Sequence, residues 1–298
     1  MAALICGSLA FDTIMTFEGR FAEQILPDQL HILNVSFLVP SLRRDFGGCA
    51  GNIAYSLKLL GGDPVPMAML GSDGAGYLER LNSLAIDTRH VGQVDDLYTA
   101  QAMIMTDRDN NQITAFHPGA MMQAHRTRIT AEPDVRLAIV APDGRDAMLQ
   151  HAAQLAEAGI PFVFDPGQGL PMFNGEELAH FIEQATWITV NDYEGRMLCE
   201  RTGWSLQEIS RKVRGLVVTL GAEGCDVWEN GERTNVPVAA PAEVVDPTGC
   251  GDAWRGALLF GLAKDWSLVR CAELGNRMGA LKIAQRGPQN YVLDFQPE

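Results

Sequence analysis

The sequence predicts an α/β fold: a doubly wound, mainly parallel sheet with helices on both faces, plus a small β-sheet lid. Three observations predict it. Short apolar runs alternate with helical apolar patterns over most of the 298 residues, the β-α-β-α order of parallel sheets. Glycine pairs punctuate the helical patterns, as at Gly47-Gly48 and Gly61-Gly62. Two stretches, about 13–46 and 98–117, break the alternation with strand-like patterns and no convincing helix.

The elements are read in order. Residues 4–9 form a strand and 50–60 a helix, opened by Gly47-Gly48 and closed by Gly61-Gly62. A strand at 65–70 and a helix at 76–84 follow. Residues 137–141 are strand, and 147–158 are a helix ended by Gly159. Then come strand 161–165, helix 176–184, strand 187–191 and strand 216–220. Asn230-Gly231, between 225–228 and 233–238, signals a hairpin. In the irregular stretches, 32–39 reads as strand, and 98–117 as two strands around the turn-rich Asp107-Arg108-Asp109-Asn110. Paired, they would make a lid on a single domain spanning 1–298.

Composition narrows the function. Hydrophobic residues make up 47%, enough for a sizeable core. No run of about 18 apolar residues is present, so no membrane helix is expected. The 37 acidic residues outnumber the 23 basic ones, a net charge of −14, which disfavours nucleic acid and anionic lipid as partners. The six cysteines show no CxxC pair and no zinc spacing, and no basic leader precedes residue 4. The expectation is a cytoplasmic protein with reduced thiols, monomer or homodimer, acting on a small molecule.

The most informative string is Asp246-Pro247-Thr248-Gly249-Cys250-Gly251-Asp252, followed by an apolar helical stretch. A glycine-rich turn feeding a helix N-terminus presents unpaired N–H groups and the positive end of the helix dipole, a site for phosphate. Asp252, in the first turn, either caps the helix or faces the anion as a base.

This string resembles the second signature of the ribokinase-like, or PfkB-type, sugar and nucleoside kinases. Gly47-Gly48-Cys49-Ala50-Gly51-Asn52 resembles the first signature, Asn191-Asp192-Tyr193-Glu194 the Asn-x-x-Glu motif, and Thr219-Leu220-Gly221-Ala222-Glu223-Gly224 the nucleotide-contacting strand and turn. The resemblance covers nearly the whole chain. Cys250 stands where alanine is usual and Trp254 where phenylalanine is usual. Gly71-Ser72-Asp73-Gly74-Ala75-Gly76 lacks dinucleotide-fingerprint spacing, and it resembles a family turn with a structural role.

The resemblance implies ATP-dependent transfer of a phosphoryl group to a hydroxymethyl group. Asp252 would be the general base, and Gly249, Cys250 and Gly251 would donate backbone N–H groups to the transferring phosphoryl group. Asn191 and Glu194 would organise Mg²⁺ through water, or else form only a capping pair. Thr219, Gly221, Gly224 and Asn276 would line the ATP site. Asp12, Gly47, Gly48 and Asn52 would frame a sugar ring, with Asp12 accepting from vicinal hydroxyls, and His117 would lie near them at the end of a lid strand. The resemblance leaves K⁺ activation open. The favoured acceptor is a purine nucleoside such as adenosine, as in the adenosine-kinase-like branch. Phe116, Phe37, Met103 and Met105 could cover a flat base, or could form the lid's own core. Ribose, fructose or 2-keto-3-deoxygluconate is the alternative acceptor, and a silent sugar- or nucleotide-binding sensor is the alternative from another class.

Overall fold

The computed structural model describes residues 2–25, 32, 34–129 and 133–297. Its first strand, β1 (Ala2–Cys6), is buried at every position, and its side chains alternate between two cores. Ala3 and Ile5 enter one core; Ala2, Leu4 and Cys6 enter the other. Successive strand residues point to opposite faces, so a strand covered on both sides must be apolar throughout.

The other elements follow in chain order: β2 (Ala10–Thr16), a short helix α1 (Phe21–Gln24), β3 (Ser41–Gly47), α2 (Cys49–Leu59), β4 (Asp63–Leu70), α3 (Ala75–Ser83), β5 (His90–Gln93), β6 (Ala100–Thr106) and β7 (Gln112–His117). A 3₁₀ segment (Gly119–Arg126) leads to β8 (Val135–Val140), α4 (Arg145–Glu157), β9 (Phe162–Phe164), α5 (Gly175–Gln184), β10 (Trp187–Asn191), α6 (Asp192–Thr202) and α7 (Leu206–Ser210). The last elements are β11 (Gly215–Thr219), β12 (Cys225–Glu229), β13 (Glu232–Val236), α8 (Cys250–Leu262) and α9 (Leu268–Ile283).

The large sheet runs β13-β12-β11-β10-β9-β8-β1-β4-β5. Strands from β11 to β5 are parallel, and β12 and β13 add an antiparallel edge. Helices α2, α3, α8 and α9 cover one face, and α4 to α7 the other. The expected doubly wound fold is therefore borne out. Winding reverses between β1 and β8, the place where open α/β sheets bind ligands beyond the carboxyl ends of their strands. The hairpin at Asn230-Gly231 also forms, with φ of 53° and 87° at its two turn residues.

The two irregular stretches meet in a second, smaller sheet ordered β3-β2-β6-β7. Asp73, in the Gly71–Gly76 turn, anchors it: one carboxylate oxygen accepts the Thr99 N–H (2.8 Å) and the other accepts from Arg44 (3.0 Å).

Three details differ from expectation. The first strand ends at Cys6, because Ser8 turns its hydroxyl and carbonyl to the N–H groups of Cys49 and Ala50 (3.2 and 3.0 Å) at the head of α2. The strand expected at 32–39 is not formed over 34–39; Leu33, within that range, lies outside the described residues. Phe37 packs edge-on against Phe17 and Phe21 instead, and Pro40 ends the segment. The strand lies just beyond, as β3, where Arg43-Arg44-Asp45 masked the apolar alternation. Finally, a one-turn helix, α1, occupies part of the stretch read as helix-free.

The Gly47-Gly48 turn joins the two sheets and needs both glycines. A Cβ on Gly47 would lie 2.4 Å from an Asp12 carboxylate oxygen. Gly48 has φ of 85°, and a Cβ there would lie 2.6 Å from the Ser8 carbonyl oxygen and the Ala10 nitrogen. Gly48→Ala is expected to destabilise the fold by at least about 1–3 kcal/mol from backbone strain alone. Urea denaturation, compared through the transition midpoint at equal slope, measures the loss.

Candidate active site

The site is built around the N-terminus of α8. Gly249 is the residue before it, with φ of 78°, and a Cβ there would lie 2.6 Å from Pro288. The Cys250 N–H turns back to the Pro247 carbonyl (3.2 Å), and the Ala253 N–H closes on the Gly249 carbonyl (2.9 Å). The amides of Gly251 and Asp252 thus precede the first closed helical turn and form, with the helix dipole, a receiver for an anion. The expected Cys250 amide is engaged within the turn rather than offered with them.

Asp252 sits directly inside this turn. Its Oδ2 accepts a hydrogen bond from Asn52 Nδ2 (2.8 Å). Asn52 is 4% exposed, and its own carbonyl accepts from Gln289 (3.1 Å). Gln289 also donates to the Tyr77 hydroxyl (2.9 Å), which donates to the Gly47 carbonyl (2.6 Å). On the other side, Arg255 grips Asp165 with two hydrogen bonds (2.7 and 2.8 Å) and reaches the Gly251 carbonyl (3.3 Å). Burial pushes the Asp252 carboxyl up to about 6, opposed by the Asn52 hydrogen bond and the Arg255 charge and reinforced by Asp165.

Asp12 lies on β2 of the small sheet, against Gly47. Burial, then the charges of Asp45, Asp252 and Asp246, raise its carboxyl to about 7. Arg43 offsets part of this charge, pairing with Asp45 (3.0 Å) and Asp246 (3.3 Å). The register puts Asp12 opposite Asp45 and Ala102, and Ala102 opposite Phe116; Ile14 and Ile104 continue the same face. Met103 and Met105 pair with Thr13 and Met15 and point to the opposite face. They do not cover the site, and Phe37 belongs to the aromatic cluster already described. His117 pairs with Gln101, also on the far face, and is exposed. The structure therefore does not bring His117 to Asp12 and Asp252.

Beyond α8 an apolar cleft of about 470 Å³ is lined by Thr219, Gly221, Gly224, Gly251, Trp254 and Asn276, among others. Asn276 is 7% exposed, and its amide is committed to protein. It accepts from Trp254 Nε1 (3.1 Å) and donates to the carbonyls of Val236 and Pro237 (3.2 and 2.9 Å). Trp254 fits because Gly275 has no side chain; a Cβ there would meet the indole nitrogen at 2.5 Å. Asn191 neighbours Thr219 in register and forms a complete capping box with Glu194. Burial and Asp165 raise the Glu194 carboxyl.

Sequence reading missed Arg255, Asp165, Arg43, Asp45, Tyr77 and Gln289. Arg255 had a signal, one helical turn after Asp252, and Asp165 directly follows strand β9 at the ligand side of the sheet. Tyr77 and Gln289 had none.

Residues 19–294 match the sequence profile described as pfkB family carbohydrate kinase. The chain belongs to this family. The family expected from the motifs, and with it the small-molecule kinase class, is borne out. This pfkB-family chain superposes on the nucleoside kinase of Burkholderia thailandensis in complex with inosine, with a TM-score of 0.88 and 52% identity over 97% of this chain and 93% of that one. The same kinase in complex with ADP-inosine gives a TM-score of 0.86, at 54% identity over 98% and 92% of the two chains. The Methanocaldococcus jannaschii nucleoside kinase gives 0.88, at 27% identity over 98% and 94%.

The carboxyls of Asp252 and Asp12, raised to about 6 and about 7, set an expected pH profile. The roles expected of them, base and acceptor of sugar hydroxyls, both need the carboxylate, so kcat/KM is expected to rise with pH through the two values and level off above them. The same shifts disfavour the ionised forms in the fold, so these groups contribute less stability as pH climbs from the unfolded carboxyl range to about 7. In Asp12→Asn the profile keeps one inflection, at or below about 6. A pH–rate series on both proteins checks this.

Proposed function

We propose that this kinase transfers the γ-phosphoryl group of ATP to the hydroxymethyl group of a purine nucleoside such as adenosine. The observation that carries the phosphotransfer is the position of Asp252. It is half-buried at the head of α8, one oxygen is held by Asn52, and the amides of Gly251 and its own residue open beside it. The second oxygen is left for the acceptor hydroxyl. Asp252 takes that proton while the hydroxyl oxygen bonds to phosphorus and the bond to the β-phosphate oxygen breaks. The amides stabilise charge on the transferring group.

ATP fits the cleft beside Thr219, Gly224 and Trp254, with its γ-phosphate at α8. Among the described residues no cluster of three or more His, Cys, Asp or Glu side chains is arranged to hold a metal directly. The Asn191–Glu194 pair, whose carboxylate and amide are already bonded to each other, suits Mg²⁺ only through bound water. Bound there, Mg²⁺ would neutralise phosphate charge.

The nucleoside preference rests on the small sheet, read as a lid. Phe116 is 49% exposed and lies two strand spacings, about 10 Å, from Asp12 on the same face. With Ile14 and Ile104 it offers an apolar platform for a base whose ribose is held by Asp12, Gly47 and Asn52; a free sugar leaves it uncovered. The inosine complexes of the Burkholderia thailandensis kinase support this choice. The same reading places the enzyme in the cytoplasm with small-molecule partners. No helix among the described residues is long and apolar enough to cross a membrane.

Two measurements test the reading. Asp252→Asn is expected to lose on the order of 10²–10⁴ in kcat with ATP binding retained; a variant keeping a third of wild-type kcat removes Asp252 as base. Across nucleosides and sugars at equal concentration, stacking a base is expected to favour a purine ribonucleoside over ribose by roughly 5- to 150-fold in kcat/KM. If ribose or a hexose wins, the acceptor is a sugar and the phosphotransfer assignment stands.

A further inference from the structure

Lys282, in the last turn of α9, is 0% exposed. Its ammonium donates to two backbone carbonyls, those of Asp246 (2.9 Å) and Gln285 (3.0 Å). Burial pulls its pKa down, and the acidic neighbours Asp246 and Asp45 oppose that pull while Arg43 adds to it. An ammonium is expensive to desolvate, and lysine is almost never fully buried without a purpose for the charge.

The two carbonyls belong to the two loops that shape the phosphate turn. One loop opens α8 with Asp246-Pro247-Thr248-Gly249; the other follows α9 and supplies Pro288, which packs on Gly249. The Asp246 side chain stitches the same loops, accepting the N–H groups of Thr248 and Gly287 (both 2.9 Å). Lys282 is thus the fixed cation beneath the anion receiver. Carbonyls converging from two loops next to a carboxylate are the donor set a bare monovalent cation uses. Here the ammonium, a monovalent charge comparable in size to K⁺, already holds them, so these residues do not fit an added K⁺.

We propose that Lys282 is a positioning residue that supplies this cation from the chain itself, so that the kinase needs no K⁺. The carbonyl cradle, the buried charge and the shared loops all follow from that role. It rests on the kinase reading for its rate test but not for its binding test.

The experiment uses wild type and Lys282→Met, dialysed free of monovalent metal ions. Wild-type turnover is expected to change less than about two-fold on adding K⁺ or NH₄⁺. Lys282→Met is expected to lose roughly ten-fold or more in kcat, less than the roughly 10²–10³ typical of a direct oxyanion donor, with nucleoside KM little changed. K⁺ or NH₄⁺ should restore much of that loss, and tetramethylammonium should not. Without substrates, K⁺ should raise the melting temperature of Lys282→Met by about 3 °C or more while leaving wild type unmoved. Several-fold K⁺ activation of wild type overturns the proposal. So does a folded Lys282→Met that keeps full kcat without K⁺, or one that neither K⁺ nor NH₄⁺ rescues or stabilises. If Lys282→Met does not fold, Lys282→Gln takes the same test, with the wild-type cation response as an independent arm. If wild type turns over no substrate, the kinase reading fails separately, and the melting shifts still decide the fate of Lys282.

Discussion

The hydrogen bond from Asn52 to Asp252 is the contact on which the site depends. The base proposed here must be ionised to act, yet burial drives Asp252 toward its neutral form. The Asn52 amide opposes this only if it is held at 2.8 Å, and packing holds it there. Ser56 follows Asn52 by one helical turn, and Gly256 follows Asp252 by the same interval. A Cβ on Gly256 would lie 2.5 Å from that of Ser56, so the missing side chain lets α2 and α8 approach closely at this level. One turn closer to the ligand, the same approach sets the amide against the carboxylate. Gln289 and Tyr77 then fix the amide's orientation, so that its NH₂ faces Asp252.

Charge around this bond is arranged against expectation for a protein that handles polyanions. Asp12, Asp45, Asp165, Asp246, Glu194 and Asp252 crowd the site, and Arg43, Arg255 and Lys282 answer them. Each of the three cations is already spent on protein oxygen atoms. In the proposed reaction the phosphate is left to backbone amides at a helix end, which carry positive potential without a mobile charge. This also explains how a chain with a net charge of −14 can bind a nucleotide. Arg255 and Asp165 are costly to bury, and removing one partner of such a pair costs about 3–5 kcal/mol. Their bidentate geometry repays the burial by fixing the first turn of α8 through the Gly251 carbonyl.

What could be read from the sequence was what is local. The turn at Asp246–Asp252 is legible because its glycines and its helix start are neighbours in the chain. Asn191 and Glu194 are legible for the same reason, as a three-residue interval that closes a capping box. Gln289 is 237 residues from the Asn52 it orients, and no periodicity points to it. Lys282 would pass for an ordinary cation at a helix C-terminus; only the approach of two loops buries it. The small sheet shows the limit most clearly. Its strands at 98–117 were visible, but which residues share a face with Asp12 depends on register, and a shift of one residue exchanges the faces. Met103 and Met105 were therefore placed on the wrong side, and Phe116 on the right one.

That register also ties the acceptor site to the phosphate turn. Arg43 and Asp45 lie on the Asp12 face of the small sheet, yet Arg43 reaches Asp246 in the loop before α8. The sheet thus reaches both halves of the proposed reaction, the acceptor through Asp12 and the phosphate turn through Arg43 and Asp246. Asp45 and Asp246 share one guanidinium there, and their charges, with that of Asp252, add to the burial that raises the Asp12 carboxyl. In the proposed acceptor site, sugar hydroxyls donating to Asp12 would favour its ionised form, the form that accepts from them best. In the proposed reaction Arg43 therefore bridges the sheet that carries the acceptor carboxylate and the loop that shapes the phosphate turn.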